Sequence, residues 1–535
     1  MTVLIPVPQL NLGYRDAVNY KQRENKQIFN KIFLQTSDLK KLLEPTTFFV
    51  VGEKGTGKTA YAVFMVNNDY KNTISSMTFL RETVYQKFIE LKKKNHLDLS
   101  EYSDIWKVTL YLLLSQKIYN AERNRGILNK YVKFGALQNA IEDFYSHAFS
   151  PEMVYAINFS EHSNRAAELI SRFELLEARG ERETRQEINF SERRFQINLL
   201  YIQRKFEEAL SSLKLERNYV LFIDGIDTRP STISYGEYLN CIKGLVDAVL
   251  MMDSDFFPSI KGSPGRLRIV LLVRPDIINS LGLQNLNSKL RDNSVLLNWD
   301  TQYPSHRNSH LFNVADNILR WQQIESLERG EAWDYYFPFN AVDLRAKHEL
   351  FSSFIELLRY SLYRPRDIIV MLQILQQNFK NSGKSEEDVF QLADLQSPKL
   401  KKEIAEYFLG EIKDQMMFYY SEEEYEIFKK FFEYLRGRVE FDYSQYSRAY
   451  KDLIRFISES NYELPQFCQS SDTFLQFMYN LNVICYKESA GNEIFWRWCF
   501  RQRYYGDIAP KVKKYSTYRI HPGMRKALNI GKAHF

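Results

Sequence analysis

The sequence predicts an α/β fold with a parallel β-sheet at its core, and three apolar segments carry this prediction. Residues 46–51 are β-branched or aromatic and lead directly into a glycine-rich loop and a helix-forming segment. Residues 219–223 and 269–273 are two further apolar runs, which are followed by Asp224 and Arg274. Continuous apolar runs of this length are typical of strands that are buried on both faces, as parallel strands usually are.

The loop after the first strand matches the phosphate-binding pattern GxxxxGK[ST] in full. A strand, a glycine loop and a helix start direct several backbone N–H groups at one point, which suits a polyphosphate. The glycines let the backbone come close where a Cβ atom would collide. Lys58 is suited to neutralising the charge of the β- and γ-phosphates, and the hydroxyl of Thr59 is suited to ligating Mg²⁺. The predicted nucleotide-binding residues of this loop are Gly52, Glu53, Lys54, Gly55, Thr56, Gly57, Lys58 and Thr59.

A nucleotide site of this kind also needs a carboxylate at the end of a neighbouring strand, where it holds the water shell of the metal. Asp224 follows the second apolar run and is the predicted magnesium partner beside Thr59. Asp227 stands three residues later and is a candidate to orient or activate the attacking water. The alternative is that either aspartate only caps a helix or opens a loop.

The DGxD form of residues 224–227 resembles the signal-transducing (STAND-type) branch of the P-loop ATPases, which are related to AAA+ proteins. Residues 268–276 resemble a strand that ends in a nucleotide-sensing residue, here Arg274. Residues 362–369 resemble the Pro-Arg segment of a helical lid, whose Arg366 would reach the γ-phosphate. The alternative for each arginine is a surface position or an ion pair with a nearby aspartate.

The whole pattern is similar to a bacterial family of large P-loop ATPases whose genes often lie among anti-phage defence and mobile-element genes. The resemblance implies an AAA+/STAND-like P-loop NTPase fold, with ATP and Mg²⁺ as ligands. It implies catalytic roles for Lys58, Asp224, Asp227 and Arg366, and nucleotide contact by Arg274. The sequence departs from the family at Thr228, where the relatives usually place an acidic residue. It contains no [NT]KxD guanine-reading motif, so ATP is the expected nucleotide.

The order of these segments predicts five regions. A further strand at 73–80 and an apolar helix at 106–119 belong to the first of them. Helix-like stretches at 422–436, 444–459 and 471–481, followed by a hairpin, are typical of a winged helix. The regions are the first part of the ATPase core (1–120), a helical insertion arm (121–216), the second part of the core (217–305), a helical lid (306–400) and a basic winged-helix-like domain (401–535).

The charge of the chain is uneven along its length. The chain has 72 Lys and Arg against 66 Asp and Glu, and residues 496–535 contain ten of these cations with one aspartate. Cations among aromatic residues suit nucleic acid or the docking of another protein. The candidate nucleic-acid contacts are Arg501, Arg503, Lys513 and Lys514.

The sequence excludes several other classes of protein. It has no apolar run long enough to span a bilayer, its N-terminus lacks the features of a signal peptide, and its four cysteines are scattered. These observations predict a cytoplasmic protein with reduced cysteines.

Three functions are compatible with the sequence. The first is an ATP-hydrolysing switch or assembly engine in an antiviral or mobile-element complex, as a homo-oligomer or with an effector protein. The second is a nucleotide-gated DNA-binding protein of initiator or transposition-regulator type. The third is a scaffold that binds ATP without hydrolysing it.

Overall fold

The β-strands confirm the apolar runs that the sequence predicts. The computed structural model describes residues 4–82, 84–86, 89, 102–123, 130–147, 192–230, 232–342, 350–385, 389–491 and 493–531. The strands in this part are β1 (Phe49–Val51), β2 (Thr73–Phe79), β3 (Asn218–Asp224), β4 (Leu267–Val273), β5 (Ser294–Leu296), β6 (Asn340–Val342), β7 (Leu350–Ser352), β8 (Glu440–Asp442), β9 (Ile484–Ala490), β10 (Glu493–Arg497) and β11 (Thr517–Ile520). The four predicted core strands correspond to β1 to β4.

Helices make up most of the remaining described chain. They are α1 (Arg23–Ile32), α2 (Ser37–Lys41), α3 (Lys58–Asn67), α4 (Tyr102–Arg123), α5 (Lys130–His147), α6 (Glu192–Ser212), α7 (Tyr235–Met251), α8 (Pro275–Ser280), α9 (Leu286–Asn293), α10 (His310–Arg320), α11 (Glu331–Tyr336), α12 (Ser353–Tyr360), α13 (Pro365–Lys380), α14 (Leu392–Gln396), α15 (Pro398–Met417), α16 (Glu422–Tyr434), α17 (Tyr443–Glu459), α18 (Ser471–Asn480) and α19 (Cys499–Gln502). Short 3₁₀ turns connect some of them.

The chain forms two compact units. The sheet unit comprises Ser37–Val51 and Lys58–Val295, and the C-terminal unit comprises Met1–Thr36, Gly52–Gly57 and Leu296–Phe535. The GxxxxGK[ST] motif is therefore divided after Gly57, and its last two residues belong to the sheet unit. The five predicted regions stay a prediction, because this division is coarser than they are.

The sheet unit contains a five-stranded, all-parallel sheet in the order β2-β3-β4-β1-β5, which confirms the predicted α/β class. The central strands β3 and β4 pair with Phe222 opposite Val270, and every residue of β4 is buried. This burial on both faces is the reason for the uninterrupted apolar runs. Because parallel strands end at the same edge of a sheet, Asp224 at the end of β3 and Arg274 after β4 lie at one edge, where α/β proteins usually bind their ligands.

Helices α4 and α7 form a close-packed pair in the sheet unit. The indole N–H of Trp106 in α4 donates to the carbonyl of Cys241 in α7 over 3.0 Å. Gly244 lies at the contact, where a Cβ atom would be 2.4 Å from the Cβ of Tyr102. In the sequence Tyr238, Ile242, Leu245 and Val249 recur at helical spacing, which predicts that they form the core face of a helix. All four are buried in α7, which confirms this prediction.

The predicted insertion arm at 121–216 is described in part. The phenol of Tyr111 in α4 donates to Glu207 in α6 over 3.0 Å, and the rings of Phe144 in α5 and Phe206 in α6 lie 6.3 Å apart. Helices α5 and α6 therefore pack with α4 in the sheet unit. Residues 148–191 of the arm lie outside the described residues.

The C-terminal unit contains an antiparallel sheet in the order β10-β9-β11-β8. Strands β9 and β10 form the predicted hairpin, with Trp496 opposite Lys487. Strand β11 pairs with both β9 and β8, which places Tyr518 between Tyr486 and Phe441. The three helices predicted before the hairpin are confirmed as α16, α17 and α18.

The structure also shows where the cysteines lie and how long and apolar the helices are. All four cysteines are buried, and within the part of the chain that the structure describes none of them forms a disulfide bond. Among the helices in the described ranges, none combines the length and the apolar character that a bilayer span requires.

Candidate functional site

Thr59 and Asp224 form the centre of the candidate site in the sheet unit. Thr59 is the second residue of α3, and its hydroxyl donates to Asp224 Oδ2 over 2.7 Å. The other carboxylate oxygen accepts the N–H of Gly225 over 2.8 Å. Burial is the largest influence on the Asp224 carboxyl and raises its pKa, while these two hydrogen bonds oppose the rise. A hydroxyl and a carboxylate thus meet at the end of β3.

The turn after Asp224 depends on a glycine. Gly225 has a φ of +85°, and a Cβ atom there would lie 2.4 Å from the carbonyl oxygen of Leu80. The same turn is held by Thr228, whose hydroxyl donates to the Gly225 carbonyl over 2.6 Å. Thr228, at which the sequence departs from the family that it resembles, therefore forms a hydrogen bond that holds this turn. Asp227 is half-buried between these two anchored positions.

Lys58 is a buried cation at the start of α3. Burial lowers the pKa of its ammonium group to about 8. The charges of Asp227 and Asp224 oppose this shift, and the charge of Arg274 adds to it. All four charged groups therefore lie in one electrostatic neighbourhood at the carboxyl edge of the sheet. A buried ammonium group is costly to maintain without anionic partners.

Arg274 is also buried in this neighbourhood. Its Nε donates to Asp276 Oδ1 over 3.1 Å, and Nη2 pairs with the other oxygen of the same carboxylate. The alternative that the sequence left open, an ion pair with a nearby aspartate, is therefore present. The ion pair holds the guanidinium at the end of β4, beside the strand that carries Asp224.

The first six motif residues form a tight loop in the C-terminal unit. Gly55 and Gly57 have φ angles of +87° and +99°, a region that glycine adopts without strain. At Gly52 a Cβ atom would lie 2.3 Å from the hydroxyl oxygen of Thr56. That hydroxyl donates to the Glu53 carbonyl over 2.8 Å, and the indole N–H of Trp299 donates to the Thr56 carbonyl over 2.9 Å. The loop is therefore compact and anchored.

Two arginines of the predicted lid segment contact this loop. Arg364 donates to the Lys54 carbonyl over 2.8 Å, and the backbone N–H of Arg366 donates to the Gly55 carbonyl over 3.4 Å. The Arg364 guanidinium is buried and pairs with Asp367 at 2.7 Å. The Arg366 guanidinium is more exposed, bonds to the Arg15 carbonyl at 3.2 Å and lies 3.8 Å from Glu411. The second arginine is thus held less tightly than the first.

The side chains of the loop are tied to the C-terminal helices and sheet. Lys54 Nζ lies 2.7 Å from Asp414 and 3.5 Å from Glu411, both on α15. Glu53 pairs with Arg503 and accepts weaker bonds from Asn482 at 3.4 and 3.5 Å. Glu53 and Lys54 occupy positions that the GxxxxGK[ST] pattern leaves variable, and both contact distant parts of the chain.

The candidate nucleic-acid contacts divide into different environments. Arg503 has an exposed fraction of only 12% and pairs with Glu53, so its charge is used inside the protein. Arg501 lies 3.4 Å from Asp300, and Lys514 pairs with Asp472 at the surface. Lys513 is exposed. Nucleic-acid contact by these four residues stays a prediction, and for Arg503 the ion pair with Glu53 already occupies the guanidinium.

Several supporting residues were missed by the sequence reasoning. Tyr238 donates its hydroxyl to the Ile226 carbonyl, and the hydroxyl of Tyr85 bonds the Gly225 carbonyl at 3.3 Å, so both hold the turn that carries Asp224 and Asp227. Tyr238 was predicted only as core packing. Arg364 was missed although it stands in the same short segment as Arg366, because a buried and an exposed arginine look alike in a sequence.

Comparison with known proteins adds no assignment to this geometry. No protein-family model matches the chain, and the search of curated proteins finds no match to it.

Proposed function

We propose that the protein binds ATP with Mg²⁺ at Gly52–Thr59 and hydrolyses it. The observation that carries this proposal is the 2.7 Å hydrogen bond between Thr59 and Asp224, next to the buried Lys58. A hydroxyl and a carboxylate at this position are what a P-loop uses to hold the metal of a nucleotide. The complete motif match supports the same reading.

The residues present fit a magnesium nucleotide. Mg²⁺ prefers oxygen ligands, and Thr59 and Asp224 offer a hydroxyl and a carboxylate. The buried ammonium group of Lys58 gains from an anionic partner, since burial lowers its pKa. The positive φ angles of Gly55 and Gly57 suit a loop that turns its N–H groups toward phosphate. When bound, Mg²⁺ would neutralise charge on the phosphates.

The chain's own groups then have distinct tasks. Lys58 binds phosphate oxygens, and Asp227 orients the attacking water and accepts its proton. Arg366 contributes a partly exposed positive charge from the segment that contacts Gly55. Arg274 stays in its ion pair and adds positive potential beside Lys58.

The contacts of Glu53 and Lys54 support a switch. A ligand changes an equilibrium between two arrangements only if it binds them with different affinity. Glu53 and Lys54 connect the loop to distant side chains, so a nucleotide that favours one arrangement of these contacts would shift the equilibrium toward it. The partner would be an effector protein or further copies of the chain. The bacterial antiviral or mobile-element setting rests on the family resemblance alone.

Nucleotide binding and turnover by the full-length chain test the proposal. We expect Mg²⁺-dependent ATP binding that Lys58→Ala and Asp224→Asn abolish, and hydrolysis that Asp227→Asn slows by at least about 100-fold. Matched controls are Lys261→Ala and Asp292→Asn, which alter exposed residues of the same unit. Binding without any hydrolysis would favour the scaffold alternative. An unchanged rate in Asp227→Asn would make the assigned base wrong.

A further inference from the structure

A large groove in the C-terminal unit has no role in the proposed nucleotide site. Its volume is about 960 Å³, and its walls are strand β10 with the turn after it, the end of α12, the start of α15 and the segment after β11. This volume is at the upper end of the range of small-molecule pockets. The groove therefore has room for a ligand larger than a single nucleotide.

The charge of the groove is positive. Two acids, Asp300 and Glu356, line it together with six cations. The cations are Arg359, Lys401, Arg497, Arg501, Arg519 and Arg525. Glu488 and Glu440 from outside the lining pair with Arg497 and Arg519. The groove retains about two net positive charges after these pairs, and its buried His521 adds none because burial lowers the pKa of the imidazole to about 3.

Four of the six cations of the groove, three of them arginines, lie over aromatic rings. The guanidinium of Arg519 is 3.7 Å from the centre of the Trp496 ring, and Arg497 is 5.0 Å from that of Phe495. Arg501 lies 5.3 Å from the ring of Tyr363. The ion pair with Glu440 fixes Arg519 in its stack. Planar groups held in this way form a platform on which a further flat group can stack.

The combination of features selects among ligand classes. An acidic peptide would use the cations but has no general need for the aromatic rings. A nucleic-acid duplex keeps its bases stacked on each other, so their faces are not available to side chains. A single strand exposes both its phosphates and its base faces, which match the cations and the rings.

We propose that this groove binds a short stretch of single-stranded nucleic acid. Its phosphates lie against Arg359, Lys401 and Arg525, and one of its bases stacks at Trp496. Of the contacts predicted from the sequence, only Arg501 lines the groove, and Lys513 and Lys514 are not among its lining residues. The proposal does not depend on ATP binding.

Fluorescence anisotropy with the full-length chain tests the site. The probes are labelled 15-nucleotide dT and U strands, a 15-base-pair duplex and an oligoglutamate peptide. We expect binding of a single strand, with a slope of log K against log salt between about −1.4 and −2.8, as for two to four phosphates. The dT and U arms distinguish DNA from RNA. Tighter binding of the duplex or of oligoglutamate would overturn the proposal.

Two groove variants and a matched control localise the binding. Trp496→Ala should weaken binding at least about fivefold, and Trp496→Phe should restore most of it, since a ring remains for stacking. Lys401→Glu changes the surface of helix α15 and should also weaken binding. This variant still tests the proposal if Trp496→Ala fails to fold. The control is Lys513→Ala with Lys514→Ala, in the same basic segment but outside the groove. A loss in the control with no loss in Lys401→Glu would overturn the proposal.

Discussion

Glu53 of the Gly52–Gly57 loop forms an ion pair with Arg503, which lies 450 positions later in the chain. Both side chains are largely buried, with exposed fractions of 18% and 12%. Asn482 adds a weaker bond to the same carboxylate and accepts the N–H of Phe500 over 2.8 Å. The loop and the C-terminal hairpin region are therefore joined within the C-terminal unit.

The first prediction concerns this ion pair. Arg503→Ala should lower the free energy of unfolding of the C-terminal unit by about 3 kcal/mol, because it leaves the Glu53 carboxylate buried without its partner. Glu53→Ala combined with Arg503→Ala should recover part of the loss, since no unpaired charge remains. Chemical denaturation of the wild type, both single variants and the double variant measures the coupling.

The exposed ion pair between Arg519 and Glu440 is the matched control for this experiment. Its members have exposed fractions of 24% and 41%. Removing Glu440 should cost less than about 1 kcal/mol, because solvent screens an exposed pair. Equal losses in the two pairs would mean that burial does not strengthen the contact between loop and hairpin.

The second prediction concerns the turn after Asp224. Gly225→Ala should destabilise the sheet unit by about 2 kcal/mol and reduce ATP hydrolysis, because a Cβ atom would collide with the Leu80 carbonyl at a positive φ. Gly236→Ala, at the start of α7, is the control, since a Cβ atom there meets nothing within 4 Å. It should stabilise the protein by roughly 0.5 kcal/mol. Thermal unfolding and steady-state turnover report both effects.

The third prediction is a pH dependence set by Lys58. Burial lowers the pKa of its ammonium group to about 8 from the usual 10.5, so the folded state loses this proton first as pH rises. The cost of burying the charge is fully present below pH 8 and declines between pH 8 and 10.5. Lys58→Met should therefore stabilise the nucleotide-free protein by about 3 kcal/mol at pH 7 and by less at pH 9.5.

The same variant should not bind ATP, so greater stability accompanies the loss of the proposed function. The difference in thermal midpoint between Lys58→Met and the wild type, measured at both pH values, checks the sign. A difference that grows with pH would contradict the assigned shift. Lys261→Met, at an exposed position, should change neither midpoint.

The sheet could be predicted from the sequence because burial on both faces leaves a local signal. Strands β3 and β4 contain the apolar runs 219–223 and 269–273, and each run is followed by a polar residue, Asp224 or Arg274. The sequence also predicts that Thr59 and Asp224 lie together, because Thr59 closes the GxxxxGK[ST] motif and Asp224 stands at the end of a predicted neighbouring strand. The core face of α7 followed from helical spacing. In each of these cases the residues near one another in sequence carried the information.

The contacts that cross the chain could not be predicted in this way. The partner of Glu53 is 450 positions away, and no local pattern distinguishes Arg503 from an exposed arginine. Gly244 has no turn around it, and its role is visible only when α4 lies against α7. The buried position of Arg364 depends on Asp367 and on Tyr407, whose hydroxyl bonds the same carboxylate over 3.0 Å. Such groups are selected by tertiary packing.

The last prediction separates Arg364 from Arg366, two positions apart in one segment. Arg364 pairs with Asp367, a carboxylate that is wholly buried. Arg364→Ala should therefore destabilise the C-terminal unit by about 3 kcal/mol, because Asp367 would keep a buried charge without its partner. Arg366 has a guanidinium that is 25% exposed, and its nearest carboxylate is 3.8 Å away. Arg366→Ala should cost less than about 1 kcal/mol.

The effects on catalysis should have the opposite order. In the proposed function Arg366 adds positive charge near the phosphates, so Arg366→Ala should lower the turnover number at least about tenfold with the protein still folded. Arg366→Lys should retain part of the rate, since it keeps the charge but loses the planar fork. Thermal unfolding and ATP turnover on the same preparations test both statements. Normal turnover in Arg366→Ala would remove this arginine from the mechanism and leave its contact with the Gly55 loop as its role.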